Sequence, residues 1–487
     1  MSTYKSILKS TGLIALVQVV QLIFGLIRNK FIALFLGTHG FGIWGLYQTY
    51  IEMVSTFSTL GVDQSSVREI AKTEDIQEKE QYIYLTKITI LCFSLIAAIF
   101  SIFFSKSISR SLFQSESYYI GIIIISSSII FNGVSKGHKS ILNGLRDMKG
   151  LALSQIIGSA LGSIITISLV YWLGLEGIPW YLSLVGLSTL ISTWWFLKRH
   201  NLKHTIISRK YSYNKIKSLL FLGLGFSITA IIAAFSSYFS RTYLSEAFNI
   251  STVGLYQASW TISNLYIGII LSAMGIDFMP RLVKVIDDSK KLTSLINEQM
   301  ELGALISSIG VVFILLFSKS ILEILYSSEF LLANDIIKWQ VLGVALRVLG
   351  FPFSHAIMAK NKPIIYVILQ AVFWSLDYIL LVLLSKTYGV GALGVNYFVA
   401  YIVYLLLCWL IAKRLYNFHS TNILRQIVCG SFIFICAAWI ISNYTSGTYL
   451  IFMAISILLI MAGWTNYYLS KHMNLSILNA IKKQIRK

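Results

Sequence analysis

The chain has 487 residues, of which 56% are hydrophobic and only 12% charged, and 40 Lys plus Arg against 20 Asp plus Glu leave a formal charge of +20. A soluble domain carries about 25% charged residues, so a water-soluble enzyme is excluded, and the mean hydropathy of +0.73 points to the membrane. The four cysteines (Cys92, Cys408, Cys429 and Cys436) lie in apolar stretches without ligand partners, which argues against a disulfide framework and a zinc site.

Apolar runs of about 20 residues, the length that crosses a hydrocarbon core, recur along the whole chain. They predict spans at roughly 8–36, 41–66, 82–105, 117–141, 149–173, 177–197, 215–247, 252–278, 293–317, 332–358, 363–385, 390–412, 422–442 and 447–469. The first run is too long for a signal peptide and lacks a small-x-small cleavage site, so it is expected to be retained. The predicted fold is therefore an all-α polytopic membrane protein of fourteen transmembrane helices. Trp and Tyr gather near span ends, among them Tyr171, Trp172, Trp194 and Trp195, as interfacial anchors do.

Basic residues fix the expected orientation, because Lys and Arg accumulate on the cytoplasmic side. With the N-terminus inside, thirty-one of the 40 fall in or beside cytoplasmic segments, Lys136, Lys139, Arg146 and Lys149 among them. Six fall on the opposite side: Lys106, Arg110, Arg241, Lys319, Lys338 and Lys386. Both termini are thus expected in the cytoplasm. That distribution explains the positive charge as topology, with no nucleic-acid partner required.

The halves resemble each other. Gly45-Leu46-Tyr47-Gln48 recurs as Gly254-Leu255-Tyr256-Gln257, and Gly61-Val62-Asp63 as Gly275-Ile276-Asp277. Gln155 precedes Gly174 by the same interval that separates Gln370 from Gly389. An even number of spans lies between the copies, so both halves share one orientation. Parallel repeats of this kind are a transporter architecture, with the substrate site between the halves. The expected domains are a six-helix lobe at 1–205, a second at 206–415, and residues 416–487 carrying two accessory helices and a basic cytoplasmic tail.

Ionisable side chains inside spans cost about 2.5–3.5 kcal/mol on the lenient insertion scale, so each needs a reason. The cations are Arg28 and Lys30 in the first span, Arg241 in the seventh and Arg347 in the tenth. Around a water-filled cavity they would suit a diphosphate, since guanidinium groups grip phosphate bidentately; snorkelling or pairing with acids is the structural alternative. The acids are Glu52, Asp63, Asp277 and Asp377. Glu52 could pair with Arg28 or carry a coupling proton. Asp63 and Asp277 suit inner gates or partners for Arg68 and Arg281, and Asp377 either neutralises Arg347 or binds a coupling ion. Gln48 and Gln257, matched in the repeat, are candidate sugar contacts or helix–helix hydrogen bonds.

No catalytic constellation, cofactor motif or glycine-rich phosphate loop is present, and the seven histidines have no ligand spacing. The outer loops offer only short acidic positions such as Glu323, Glu329 and Asp335, which weakens a membrane-enzyme reading.

Several stretches in order along the chain carry a family resemblance: Asn143-Gly144-Leu145-Arg146-Asp147, Val253-Gly254-Leu255-Tyr256-Gln257, Trp339-Gln340-Val341-Leu342-Gly343 ahead of Arg347, Ala359-Lys360, and Ala400-Tyr401-Ile402-Val403-Tyr404. With them the chain resembles the O-antigen and enterobacterial-common-antigen flippases, the Wzx-type polysaccharide transporters of the multidrug/oligosaccharidyl-lipid/polysaccharide exporter superfamily. The resemblance implies a lipopolysaccharide-pathway protein of the bacterial inner membrane that moves an undecaprenyl-diphosphate oligosaccharide outward through a cationic cavity. Together with the cations inside the spans, this leads to the expectation that Arg28, Arg241 and Arg347, with Lys30 assisting, hold the diphosphate while the prenyl tail stays among membrane lipids. A proton or sodium gradient and a polysaccharide polymerase are candidate partners. The rivals are a cation-coupled multidrug antiporter of the same superfamily and an integral-membrane enzyme of the polysaccharide pathway. Topology is directly testable: a reporter active only outside the cytoplasm should be silent when fused after residue 205 and active when fused after residue 176.

Overall fold

The computed structural model describes residues 3–200, 209–360, 362–445 and 447–473, with side chains from Leu16 onward except those at 209–213, 269, 273, 276 and 277. Among the described residues the chain is all-helical, with no strand. The helices are α1 (Thr3–Thr59), α2 (Val62–Lys72), α3 (Ile76–Phe103), α4 (Ser105–Phe113), α5 (Tyr119–Gly144), α6 (Met148–Leu173) and α7 (Gly177–Lys198). There follow α8 (Arg209–Ala247), α9 (Ile250–Lys284), α10 (Ser289–Leu325), α11 (Asn334–Ala359), α12 (Pro363–Tyr388), α13 (Val395–Tyr416), α14 (Asn422–Tyr444) and α15 (Gly447–Met473). Eleven helical stretches of the described residues are long and apolar enough to cross a membrane. Large apolar side chains lie bare on the surface, Trp172 at 80% and Phe221 at 79% exposure, as a lipid-facing protein requires.

Two predicted spans, 8–36 and 41–66, form one long helix, α1, kinked at Gly37 (φ 63°). The second span ends early. Leu60 and Gly61 turn left-handed (φ 44° and 71°), and Val62–Lys72 forms a separate amphipathic helix. Asp63 therefore sits in the first turn of α2, where a carboxylate meets the positive end of the helix dipole, rather than near the inner end of a span. No hydrogen bond or ion pair joins it to Arg68 among the described residues. The short amphipathic α4 is likewise absent from the sequence reading.

By packing, the chain forms two compact units: residues 1–257 with 325–330, and residues 258–324 with 331–487. In the first unit α8 packs on α1, α2 and α4, although the repeat assigned it to the second half. Lipid tails are as apolar as Leu, so membrane helices associate through close packing and side-chain hydrogen bonds averaging about 0.6 kcal/mol each. The first unit uses both. Tyr50 donates to Ser101 (2.7 Å), Ser163 to the Phe24 carbonyl (3.1 Å), Ser183 to the Ile124 carbonyl (2.9 Å) and Ser65 to the Leu219 carbonyl (2.8 Å). A Cβ at Gly42 would stand 2.0 Å from the Ile250 carbonyl oxygen, and one at Gly254 2.1 Å from that of Thr38, so these two segments touch backbone to backbone.

In the second unit a buried core runs from α9 through α10 and α11 to α12 and α13, including Phe278, Val348, Phe373, Tyr397 and Tyr401. Lys338 of α11, expected on the outer side, is buried and donates to Asn443 Oδ1 (2.5 Å) and the Ser442 carbonyl (3.3 Å) of α14. Trp339 packs edge-on against Trp439 beside it, with centroids 4.8 Å apart.

The repeat is visible in geometry. Helices α6 and α12 are both 26 residues long. Each stops at a left-handed glycine, Gly174 (φ 56°) or Gly389 (φ 65°), whose N–H closes on a carbonyl four residues back, and each runs into a 3-10 turn. A side chain would resist that conformation, which is why glycine marks both positions. The Gly61/Gly275 match ends differently: Gly275 stays inside the continuous α9.

The turn between α5 and α6 is closed by Asp147. Its Oδ1 accepts the Gly150 N–H (2.8 Å) as a helix cap, and its Oδ2 meets His200 Nε2 at 3.0 Å. Desolvation pushes its pKa up, but the Gly150 N–H, the His200 ring and Arg199 outweigh it and hold the carboxyl below its ordinary value. The cap is therefore at full strength above a pH of about 4 and fades only as pH falls below that. Asp147→Ala should lower stability by about 1 kcal/mol at neutral pH, read as a lower unfolding temperature in detergent, with the gap from wild type closing in acid. Gly254→Leu should do far worse, losing folded protein outright in size-exclusion chromatography.

Candidate functional site

Arg28 sits on α1, nine residues before the Gly37 kink. Its Nε is buried without a hydrogen-bond partner, its guanidinium lies 6.0 Å from the Trp44 ring, and among the described residues no carboxylate pairs with it. Tyr181, whose hydroxyl is also buried and unpartnered, lies within its electrostatic reach. The pairing with Glu52 considered from depth alone is not present. Lys30 is half-buried two residues further along α1, a spacing that does not share a helix face.

Arg241 is held differently. Its Nε and Nη2 both donate to Gln257 Oε1 (2.9 and 2.7 Å), its Nη1 donates to the Ser237 hydroxyl and carbonyl, and the Tyr256 ring lies 5.8 Å away. Gln257 thus acts first as the seat of Arg241. Its repeat partner Gln48 donates to Glu52 Oε1 (3.1 Å), and the charge of Glu52 reaches Arg241 and Lys136. The first unit therefore brings together Glu52, Gln48, Arg241 and Gln257. Asp63 joins through Lys136.

Two lysines of α5 gain in interest from the structure. Lys136 and Lys139, counted with the cytoplasmic charges, lie on α5, which runs to Gly144, and both are half-buried there. Lys139 lines a cavity of about 270 Å³ together with Arg28. The signal lay in the helix length: neither lysine lies beyond the last apolar turn.

In the second unit, Arg347 of α11 donates from Nη1 to Asn264 Oδ1 (2.9 Å) amid Tyr397, Tyr401 and Tyr404. Asp377 of α12 is almost wholly buried and accepts from Asn396 Nδ2 (2.7 Å), so it does not neutralise Arg347. Arg281 pairs with Glu298 (3.1 Å), and the Asp277 side chain lies outside the described residues. An apolar cavity of about 580 Å³ between α10, α11, α13 and α14 has no charged group to hold a phosphate.

Glu329 packs with the first unit, where its Oε2 accepts the Thr38 N–H (3.2 Å) and caps the second segment of α1. Tyr326 and Phe330 stack on each other beside it, and both meet Phe41 edge to face. No group of His, Cys, Asp and Glu fit to hold a metal occurs among the described residues.

The family profile of polysaccharide biosynthesis proteins matches residues 7–286, more than half of the chain. This chain belongs to the polysaccharide biosynthesis protein family. It is 22% identical over 389 residues to the lipid III flippase of Escherichia coli (strain K12), covering 79% of this chain and 92% of that protein. Its fold matches the lipid II flippase MurJ in an inward closed conformation, with a TM-score of 0.73 at 15% identity over 95% of this chain and 99% of the other. An inward-facing multidrug resistance MATE transporter of the MOP superfamily matches with a TM-score of 0.67 at 17% identity, over 82% and 98%. A polysaccharide biosynthesis family member thus shares its fold with flippases and drug transporters alike, so the fold leaves the substrate to the side chains.

The pairing of Gln257 with Arg241 separates structural from sugar-contacting roles. Gln257→Leu should cost about 1.5–3 kcal/mol, because it strands two buried guanidinium donors. Gln48→Leu, at an exposed carboxylate, should change stability by less than about 0.5 kcal/mol. Thermal unfolding in detergent checks both; loss of transport without loss of stability in Gln257→Leu would make it a substrate contact.

Proposed function

We propose that this protein is a flippase that moves an undecaprenyl-diphosphate-linked oligosaccharide, an O-antigen or related surface-polysaccharide unit, from the cytoplasmic to the outer leaflet by alternating access. The observation that carries this reading is Arg28, a guanidinium inside a membrane helix with a buried, unpartnered Nε and, among the described residues, no carboxylate paired with it. A transporter of drug cations would be served by acids at such a place. An unneutralised guanidinium serves a diphosphate, which it can grip bidentately.

Membership of the polysaccharide biosynthesis family, and the likeness to proteins named lipid III flippase and lipid II flippase, support the substrate class. On this reading the chain has fourteen spans: the 44-residue and 51-residue apolar stretches each divide in two, at Gly37 and at Gly174–Glu176, and α9 adds one. Residues 1–205 and 206–415 are its two repeats, 416–487 the accessory part, and both termini face the cytoplasm of a bacterial inner membrane. Arg241 and Arg347, each seated on an amide, provide fixed positive charge for the diphosphate, with Lys30 assisting. Glu52 and Asp377 are candidates to carry a coupling proton or sodium ion, and Asp63, in the first turn of α2, and Asp277 are candidates for gating. The protein itself performs no bond chemistry; a polymerase would consume its product outside.

The test is translocation of a fluorescent undecaprenyl-diphosphate oligosaccharide in proteoliposomes. Wild type should move it, and Arg28→Ala should slow it by at least about tenfold, the loss of one charge-assisted phosphate contact. No movement by folded wild type, together with competition by hydrophobic cations, would favour the antiporter.

A further inference from the structure

The cavity that holds Arg28 opens among α1, α5, α6 and α7, wholly within the first unit. Its polar wall carries two cations, Arg28 and Lys139, two amides, Gln21 and Gln155, and three hydroxyls, Ser159, Ser163 and Thr189, with no carboxylate. The hydroxyls have already spent their protons. Ser159 donates to the Gln155 carbonyl (2.7 Å), Ser163 to the Phe24 and Ser159 carbonyls (3.1 and 2.9 Å), and Thr189 to the Val185 carbonyl (2.9 Å). The donors that remain are the orphaned Nε of Arg28, the Lys139 ammonium, which makes no ion pair among the described residues, and the two amides.

Such an arrangement is costly when empty. Lys139 also feels the like charge of Lys136, and unpaired cations in a low-dielectric interior gain nothing from one another. An anion would reverse the balance, accepting from a planar guanidinium on one side and a point-charge ammonium on another. Size narrows the class. At about 270 Å³ the space falls just below the roughly 300–1,000 Å³ of pockets for drug-sized ligands. It is too small for an oligosaccharide and ample for one phosphoryl group with a few waters of about 30 Å³ each.

We propose that this cavity is a binding site for a single phosphoryl-sized oxyanion, held by Arg28 and Lys139 with Gln21 and Gln155 as neutral donors. The source of the anion rests on the flippase reading: there it is one phosphoryl group of the lipid diphosphate, and otherwise it is inorganic phosphate.

The experiment titrates full-length protein in nanodiscs with a polyprenyl diphosphate and, separately, with inorganic phosphate, following binding by calorimetry. Lys139→Gln should weaken binding of the lipid diphosphate by at least about tenfold, and Lys139→Arg should restore most of it. Gln155→Leu, which changes no charge, should weaken it by about threefold and serves if Lys139→Gln does not fold. Unchanged affinity in folded Lys139→Gln or in Gln155→Leu would overturn the site. Lys139-dependent binding of inorganic phosphate that the lipid cannot displace would support the site with free phosphate as its occupant. Translocation measured in parallel keeps the two readings apart. A wild type that binds phosphate through Lys139 but moves no lipid sinks the flippase and leaves the site. Normal translocation with no effect of Lys139 or Gln155 on binding does the reverse.

Discussion

A membrane interior holds no water to satisfy stray polar groups, so the protein must supply every partner itself. Here five buried or membrane-depth charges each have a neutral amide as a partner, whereas the buried Lys215 pairs with Glu78. Arg241 rests on Gln257, Arg347 on Asn264, Lys338 on Asn443, Asp377 on Asn396, and Glu52 on Gln48. An amide oxygen or N–H satisfies the hydrogen bond without cancelling the charge. The electrostatic field of each ion therefore persists, whereas a salt bridge would have quenched it. That choice of partner ties the packing of the helices to the positive potential on which anion transport would depend.

Against this background Arg28 and Lys139 differ in kind. The same helix contacts that satisfy the serine and threonine hydroxyls of α6 and α7 leave the two cations facing open space. Hydroxyls that back-bond to their own helices become part of the wall, and selectivity by sign follows from what remains. The likeness of fold to both flippases and drug transporters then makes sense: one scaffold can change cargo by changing the charge of a few wall residues.

Much of the helix pattern was legible in the sequence, because length and apolarity determine a membrane span with little help from tertiary structure. The ends of α6, α7 and α14 fall within a residue or two of their predicted positions, and the Gln155–Gly174 and Gln370–Gly389 intervals foretold two equivalent helix stops. The break at Leu60–Gly61 was not legible, since apolar and small residues continue across it and only the backbone turns. Partnership was not legible either. Nothing in the order of residues says that Gln257 seats Arg241, or that Asp377 chooses Asn396 over Arg347. Lys136 and Lys139 were counted with the cytoplasmic charges although the predicted span at 117–141 contains them, because counting basic residues by side treats every lysine near a span end as solvated.

The seat of Lys338 gives the last two helices a meaning of their own. Its ammonium is buried against α14 and donates to the Ser442 carbonyl and to Asn443 Oδ1. A shorter descendant of this gene, ending after α13, would inherit a lysine stripped of its anchor at the edge of the hydrocarbon. Loss of the tail and replacement of residue 338 by an uncharged side chain should therefore travel together through evolution, a compensated pair written across a hundred positions of sequence.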